Sequence, residues 1–424
     1  MQKKRRLEMS LPRQLSDNLV LRSAKTEEDV ERVAEFNGSI HGPGVEPLTR
    51  NLYLHHPNTE WDDLLFVEDE STGSIVSSLC LIPWIWRFEG VDLRVGEMGI
   101  VGTHKYYRRQ GLVRTQVEVF KQRLTEGDYL LSQIQGIPYY YRQFGYEYAL
   151  PLEGGLRLEA RHAPDGKEEG FQFVRATLED IPLLQRLYDE AMTDLDFHAV
   201  RDDEIWSYLL HYTKETEMER ETWIVRNGQN DSVDYFSLPK HHFGEELTVN
   251  EVSRLSFAAA QAVLSFLRKR VEGESTPAVR LCLPESTTLM QLARALGAYD
   301  LGTYAWQIYL PDTVALLSAL TPVFEKRLAR SPFAGLTQDV ELNFYRSVAQ
   351  MRFVEGALKS VDWIDQADDP VLNSPPKRFI PLVLGDKTWR QIADETPDFS
   401  VPRASRMLVE TLFPLVEAYI YTVY

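Results

Sequence analysis

The chain has 424 residues, of which 44% are apolar and 11% aromatic, and a formal net charge of −17. That length exceeds one ordinary core and predicts several domains, with enough apolar material to fill each. The acidic balance speaks against general binding to nucleic acid or to an anionic membrane, whose affinity comes mostly from basic surface; it would suit a cationic partner.

The opening MQKKRRLEMSLPRQLSDN is basic but has no apolar run behind it, and no stretch of 18 uncharged apolar residues occurs anywhere. The expectation is a cytoplasmic protein without signal peptide or membrane span. The segment 20-VLRSAKTEEDVERVAEFN-37 then reads as strand, polar turn and amphipathic helix. Glu28 and Asp29 fall in the first helical turn, where acidic groups favour the positive end of the dipole. Residues 97 to 103 are small and apolar, and Gly99 and Gly102 let another backbone approach and bond the strand. The basic turn Arg108, Arg109, Gln110, Gly111, Leu112, Val113 follows, and then a helix with Val113, Val117, Phe120 and Leu124 on its apolar face, ended by Gly127. Such a turn at a helix N-terminus offers unpaired amides and a positive dipole end, so a pyrophosphate is the expected cargo. The pattern matches neither GxxxxGK[ST] nor GxGxxG, which counts against nucleoside triphosphates and nicotinamide cofactors. A strand, 129-YLLSQI-134, comes next, and strand signals around YEYALPLEGGLRLEA close the module.

After the polar link 162-HAPDGKEEG-170 the opening pattern returns. The segment 172-QFVRATLEDIPLLQRLYD-189 repeats strand, turn and helix, with Arg175 matching Arg22 and Glu179-Asp180 matching Glu28-Asp29. An amphipathic helix at 254–270, a strand AVRLCLP and a helix stopped by Gly297 complete this second copy. Asp194, Asp196, Asp202 and Asp203 offer negative charge there, to solvent or to a cationic substrate. Beyond Pro311 the texture changes: a helix over 312–329, strand-like pieces VELNFY, MRFVEGALKSV and PKRFIPLVLG, a helical stretch, and a strand-like ending VEAYIYTVY. Cys80 and Cys282 have no partner thiol nearby and read as reduced core residues. The pairs His55-His56 and His241-His242 point apart, so no metal site is expected.

Strand, then Arg/Gln-x-x-Gly-x-Gly/Ala, then helix resembles the acetyl-CoA motif of the GNAT superfamily of N-acetyltransferases. Here Arg108 to Val113 stand in place, with Val113 departing from the usual Gly or Ala. The stretch 137-IPYYYRQFGYEYA-149 resembles the Tyr-x-x-Phe-Gly-Tyr segment of the enhanced intracellular survival (Eis) type acetyltransferases. That group combines two tandem acetyltransferase folds with a C-terminal domain similar to sterol carrier proteins, and the resemblance covers nearly the whole chain. It implies an α/β chain with mixed sheets: a catalytic domain at 17–155, a degenerate second GNAT domain at 156–305 that lacks the basic turn and binds no acetyl-CoA, and an α+β, sterol-carrier-like domain at 306–424.

The resemblance also implies site residues. Val101 and Thr103 would flank the pantetheine of acetyl-CoA, and Arg108, Arg109, Gly111 and Leu112, within the motif that includes Gln110 and Val113, would surround the pyrophosphate. Tyr141 would be the general acid. The α-carboxylate of Tyr424 would be the base or amine anchor, with Glu97 as its rival. The implied reaction is acetyl transfer from acetyl-CoA, as cosubstrate and without a metal, to a primary amine: a polyamine, an aminoglycoside or a lysine side chain. A homo-oligomer, with a hexamer as one form, is implied as well. The alternative is a non-catalytic protein whose C-terminal domain holds a lipid or other apolar ligand, with Phe324, Phe333, Phe344, Phe353, Phe379 and Phe413 lining a cavity or filling a core.

Overall fold

The computed structural model describes residues 11–228, 233–241, 244–275 and 277–424; most of the basic opening and His242 lie outside that range. A nine-stranded mixed sheet dominates the first half. Its strands run in the order Arg13–Gln14, Leu19–Ser23, Leu64–Asp69, Ser74–Phe88, Val91–Thr103, Leu131–Ile134, Tyr304–Tyr309 and Glu147–Leu152, with Phe197–Ala199 added against the end of Ser74–Phe88. Alternation along Ser74–Phe88 sends Leu79 and Leu81 to one face and Cys80, Ile82, Trp84 and Trp86 to the other. The first face packs against the helix Leu112–Glu126 through Val117, Phe120 and Leu124. The second packs against the helices Glu27–His41 and Val45–His55 through Val30, Val33, Leu48 and Leu52. Glu27–His41 starts where Thr26 caps it in a reciprocal box with Asp29.

The middle of the chain carries two four-stranded sheets. One is antiparallel and begins with the repeat strand Phe171–Arg175, followed by the helix Ile181–Met192. The other pairs Leu247–Val249 parallel to Ala278–Leu281 across the helix Phe257–Val271. The first sheet has the same order, with Val91–Thr103 parallel to Leu131–Ile134 across Leu112–Glu126. Hydrogen bonding crosses the expected division at 305, because Tyr304–Tyr309 inserts between Leu131–Ile134 and Glu147–Leu152.

Three local expectations for the last region are corrected. The helix expected over 312–329 is two, Thr313–Ala319 and Thr321–Ala329, because Pro322 cannot continue the first. The run PKRFIPLVLG holds a 3-10 turn, Pro376–Arg378, and a buried helix, Phe379–Val383, not a strand, in keeping with the ambiguity of short buried apolar runs. The ending VEAYIYTVY forms no strand; it is an extended, largely buried tail whose ladder pairing, among the described residues, is an isolated bridge between Phe197 and Ala418. The piece MRFVEGALKSV is a hairpin, Val348–Val354 and Ala357–Ile364, turning at Glu355 and Gly356. Phe324, Phe344, Phe353, Phe379 and Phe413 are buried and Phe333 is half-buried, with edge-to-face contacts such as Phe324–Phe413 and Phe344–Phe379, so they fill a core. Cys80 and Cys282 are buried free thiols.

Candidate active site

The strand Val91–Thr103 is paired on both sides only in part. Its parallel register with Leu131–Ile134 runs from Val95–Leu131 to Glu97–Gln133 and stops there. Past Glu97 the two strands diverge, and among the described residues 98–103 are paired with a strand only on the Ser74–Phe88 side. A bulge sharpens the divergence: Ile100 and Val101 together oppose Leu79, and Ile100 has φ 44°. The result is an open strand edge ending at half-buried Val101 and Thr103, whose Oγ1 lies 2.9 Å from Ser77 Oγ. An extended ligand can bond such an edge as another strand would.

The basic turn lies at the far end of that edge. Arg109 and Gly111 both take left-handed conformations, with φ 65° and 80°. Gly111 caps the helix Leu112–Glu126 without a side-chain bond, so no cap oxygen claims the first-turn amides. Arg108, Arg109 and Gln110 are exposed, and Arg108 Nε donates to Thr103 O at 3.3 Å. Leu112 is buried, leaving its amide rather than its side chain for a ligand, and Val113 is half-buried. Open amides, a positive dipole end and two exposed guanidinium groups suit a pyrophosphate.

The middle region offers a contrast at the matching place. Ser256 caps the helix Phe257–Val271 with its own side chain, accepting from Ala259 N at 3.1 Å. Arg254 is held in a two-pronged pair with Asp194. Asp196 accepts from Glu417 N, and Asp202 caps the helix Asp203–His211, so three of the four aspartates noted in the sequence have structural partners. Asp203 lies in the first turn of that helix.

Tyr141 sits on the short 3-10 turn Tyr140–Phe144 and is buried. Its ring lies so close to Gly136 that a Cβ there would stand 2.2 Å from Cε2, while Gly136 O accepts from Tyr304 Oη at 2.7 Å and Gln307 Nε2 at 3.0 Å. Burial pushes the Tyr141 hydroxyl well above the ordinary phenol range, so it keeps its proton at neutral pH. That hydroxyl has no hydrogen bond among the described residues.

Glu97 and Tyr424 come together on the opposite side of the strand opening. The Glu97 carboxylate, only 2% exposed, accepts from Trp84 Nε1 at 2.8 Å and from the Tyr424 hydroxyl at 2.9 Å. Burial pushes its pKa up to about 7 against the pull of those two donors. Tyr424 is buried edge-on to Trp84, and its main-chain oxygen accepts from Arg220 Nη2 at 3.2 Å. The two preceding carbonyls are also held: Val423 O lies 3.3 Å from His56 Nε2, and Thr422 O accepts from Arg201 Nε at 3.0 Å. Arg201 forks onto Glu251 at 2.6 and 2.7 Å, with Arg220 3.7 Å away. No local pattern pointed to Arg201, Arg220, Glu251 or His56 as a clasp on the tail. Trp84 alone had one, since alternating tryptophans on a strand suggest a buried aromatic face.

Residues 22–149 match the family described as acetyltransferase (GNAT) domain. This segment is a GNAT acetyltransferase domain. By that domain the chain is an acyltransferase enzyme; acetyltransferases with this domain use acetyl-CoA. No curated protein matches the chain. Among solved structures it is similar to a GCN5-related N-acetyltransferase from Anabaena variabilis, with 14% identity, 95% of this chain and 99% of that one covered, and a TM-score of 0.68. It is similar to a protein from Enterococcus faecalis described as a probable N-acyltransferase, with 13% identity, coverage of 96% and 99%, and a TM-score of 0.72. It is also similar to Eis1 from Mycobacterium abscessus, with 14% identity, coverage of 96% and 99%, and a TM-score of 0.63. At these identities the shared property is the fold, and it extends well past the GNAT domain. Among the described residues no helix is long and apolar enough to cross a membrane, and no group of three or more His, Cys, Asp or Glu is placed to hold a metal.

Proposed function

We propose that this chain transfers the acetyl group of acetyl-CoA to a primary amine of polyamine, aminoglycoside or lysine type, by direct attack on the thioester. The observation that carries this is the open strand edge 98–103 leading to the uncapped, arginine-flanked helix start at Gly111. When bound, acetyl-CoA supplies an activated acyl group and a thiolate leaving group. Val101 and Thr103 would hold the pantetheine, while Arg108, Arg109, Gln110, Gly111 and the amides of Leu112 and Val113 would hold the pyrophosphate.

The amine nitrogen forms a bond to the acetyl carbon, the carbon–sulfur bond breaks, and the amine proton leaves to a base. Tyr141, kept protonated by its burial, gives its proton to the departing sulfur. Two carboxylates compete for the amine proton: Glu97, and the α-carboxylate that Tyr424 carries as the last residue of the sequence. Glu97 lies beside Trp84 and accepts from the Tyr424 hydroxyl, while the main-chain oxygen of Tyr424 accepts from Arg220 and from the Thr422 hydroxyl. The acidic net charge favours cationic acceptors.

The middle region is proposed as a second, degenerate GNAT copy without an acetyl-CoA site. Its repeated strand–helix–parallel strand order and the self-capped helix at Ser256 support that reading. The C-terminal region is proposed as a sterol-carrier-like domain that serves as scaffold. Its phenylalanines are consumed by packing, which disfavours the lipid-binding alternative. Release of CoA thiol from acetyl-CoA, measured with spermine, kanamycin and lysine-bearing peptides, tests the function: amine-dependent release above hydrolysis is expected, and its absence with every amine would overturn the proposal.

A further inference from the structure

The turn that carries Tyr141 is held from outside its own part of the chain. Helical turns end in carbonyls without intrahelical partners and with partial negative charge. Here two ammonium groups meet carbonyls of the last residues of the turn, Phe144 O and Arg142 O, the latter also accepting from Gly145 N at 3.2 Å. Lys121 Nζ donates to Phe144 O at 2.5 Å, and Lys377 Nζ donates to Arg142 O at 2.6 Å. Lys121 comes from the helix Leu112–Glu126; Lys377 comes from the 3-10 turn Pro376–Arg378, 235 positions beyond Arg142.

Lys121 also stands over the Tyr309 ring, 4.1 Å from its centroid; the Arg142 carbonyl is the one hydrogen-bond partner found for Lys377 among the described residues. Neither forms an ion pair among the described residues. Burial and then the nearby Lys377 charge draw the Lys121 pKa down, so bringing the two cations together costs free energy that the two carbonyls offset. The surrounding contacts tie the same segment to the C-terminal region. Arg378 Nη1 lies 3.9 Å from Glu147, which also accepts from Arg142, and Asp386 Oδ1 accepts from Leu150 N at 3.0 Å.

We infer that Lys377 is a positioning residue for catalysis: through the Arg142 carbonyl, the C-terminal region sets the orientation of Tyr141. This rests on the proposal that Tyr141 protonates the leaving thiolate. It gives the C-terminal region a task in acyl transfer that needs no ligand of its own. A small displacement of an acid from its proton acceptor lowers turnover without weakening substrate binding, so the effect belongs in kcat.

The test uses the full chain with Lys377→Met, Lys377→Arg, Tyr141→Phe and the Lys377→Met/Tyr141→Phe pair, assayed with the fastest acceptor of the amine panel. Lys377→Met is expected to lower kcat about tenfold with KM for acetyl-CoA within about twofold. Lys377→Arg should restore most of the rate, and the double variant should be no slower than Tyr141→Phe alone. If Lys377→Met folds poorly, Lys377→Gln removes the same charge while keeping a polar end group and is held to the same kcat criterion.

A Lys377→Met chain with unchanged kcat, beside a strongly impaired Tyr141→Phe, would overturn the inference and leave Tyr141 standing. So would a double variant that multiplies the two losses. An unimpaired Tyr141→Phe would remove the acid assignment first and this inference with it. An unaltered chain inactive with every amine would remove the function on which both depend.

Discussion

Glu97 and Tyr424 are in contact, so single substitutions separate their roles only if ranked against each other. Removal of Tyr424 shifts the proposed carboxylate out of place, onto Val423, and removes the phenol that bonds Glu97; Glu97→Gln keeps the shape and deletes one charge. With the terminal carboxylate as base, loss of Tyr424 depresses kcat far more than Glu97→Gln does, and the reverse ranking would reassign the base to Glu97. The pH profile gives an independent measure. A Glu97 pKa near 7 lies above the ordinary carboxylate value, so the folded protein prefers the protonated form. The stability this lends is present below about pH 4.5 and is lost as pH rises through about 7, and Glu97→Gln should flatten that part of the unfolding curve. Were Glu97 the base, activity would rise through the same window and the substitution would abolish the rise. Position 97 stood out in the sequence only through the resemblance, which places a glutamate on the strand before the basic turn. Its burial depends on Trp84 and on a residue 327 positions away, which no local pattern reveals.

At the scale of elements, the decisive feature is the start of the helix Leu112–Glu126. Gly111 sits at φ 80° with no atom within 4 Å of where a Cβ would go, so Gly111→Ala perturbs backbone preference and nothing else nearby. The cost is about 1 kcal/mol for a left-handed alanine, and a relaxed turn would misdirect the first amides. The expected outcome is an acetyl-CoA Kd raised about fivefold with kcat nearly unchanged, read by titration calorimetry and steady-state kinetics. Unaltered affinity would mean that the turn does not hold the pyrophosphate. This element was readable in advance because helix periodicity, a glycine and two arginines are all local signals. The C-terminal elements were less so: in PKRFIPLVLG the apolar part from Phe379 on is buried, and a short buried apolar run carries no periodicity that separates helix from strand.

For the whole molecule, the proposed division of labour predicts one acetyl-CoA per chain. Calorimetric titration should give a stoichiometry near one; two would show that the middle region also binds, despite the side-chain cap at Ser256 and the Arg254–Asp194 pair. The regions are not beads on a string. Tyr304–Tyr309 completes the first sheet, and the tail runs past Phe197 to the Arg201–Glu251 pair and ends beside Glu97.

The sequence by itself determined the opening strand and helix, the repeat of that pattern, the basic turn with the helix after it and the tyrosine-rich motif, because each rests on residues close along the chain. Only the tertiary structure decided which strand closes the first sheet, that the last residues form a clasped tail, and that Glu97 is buried with a raised pKa. Those outcomes depend on contacts between residues hundreds of positions apart, where desolvation and long-range hydrogen bonds outweigh any local preference.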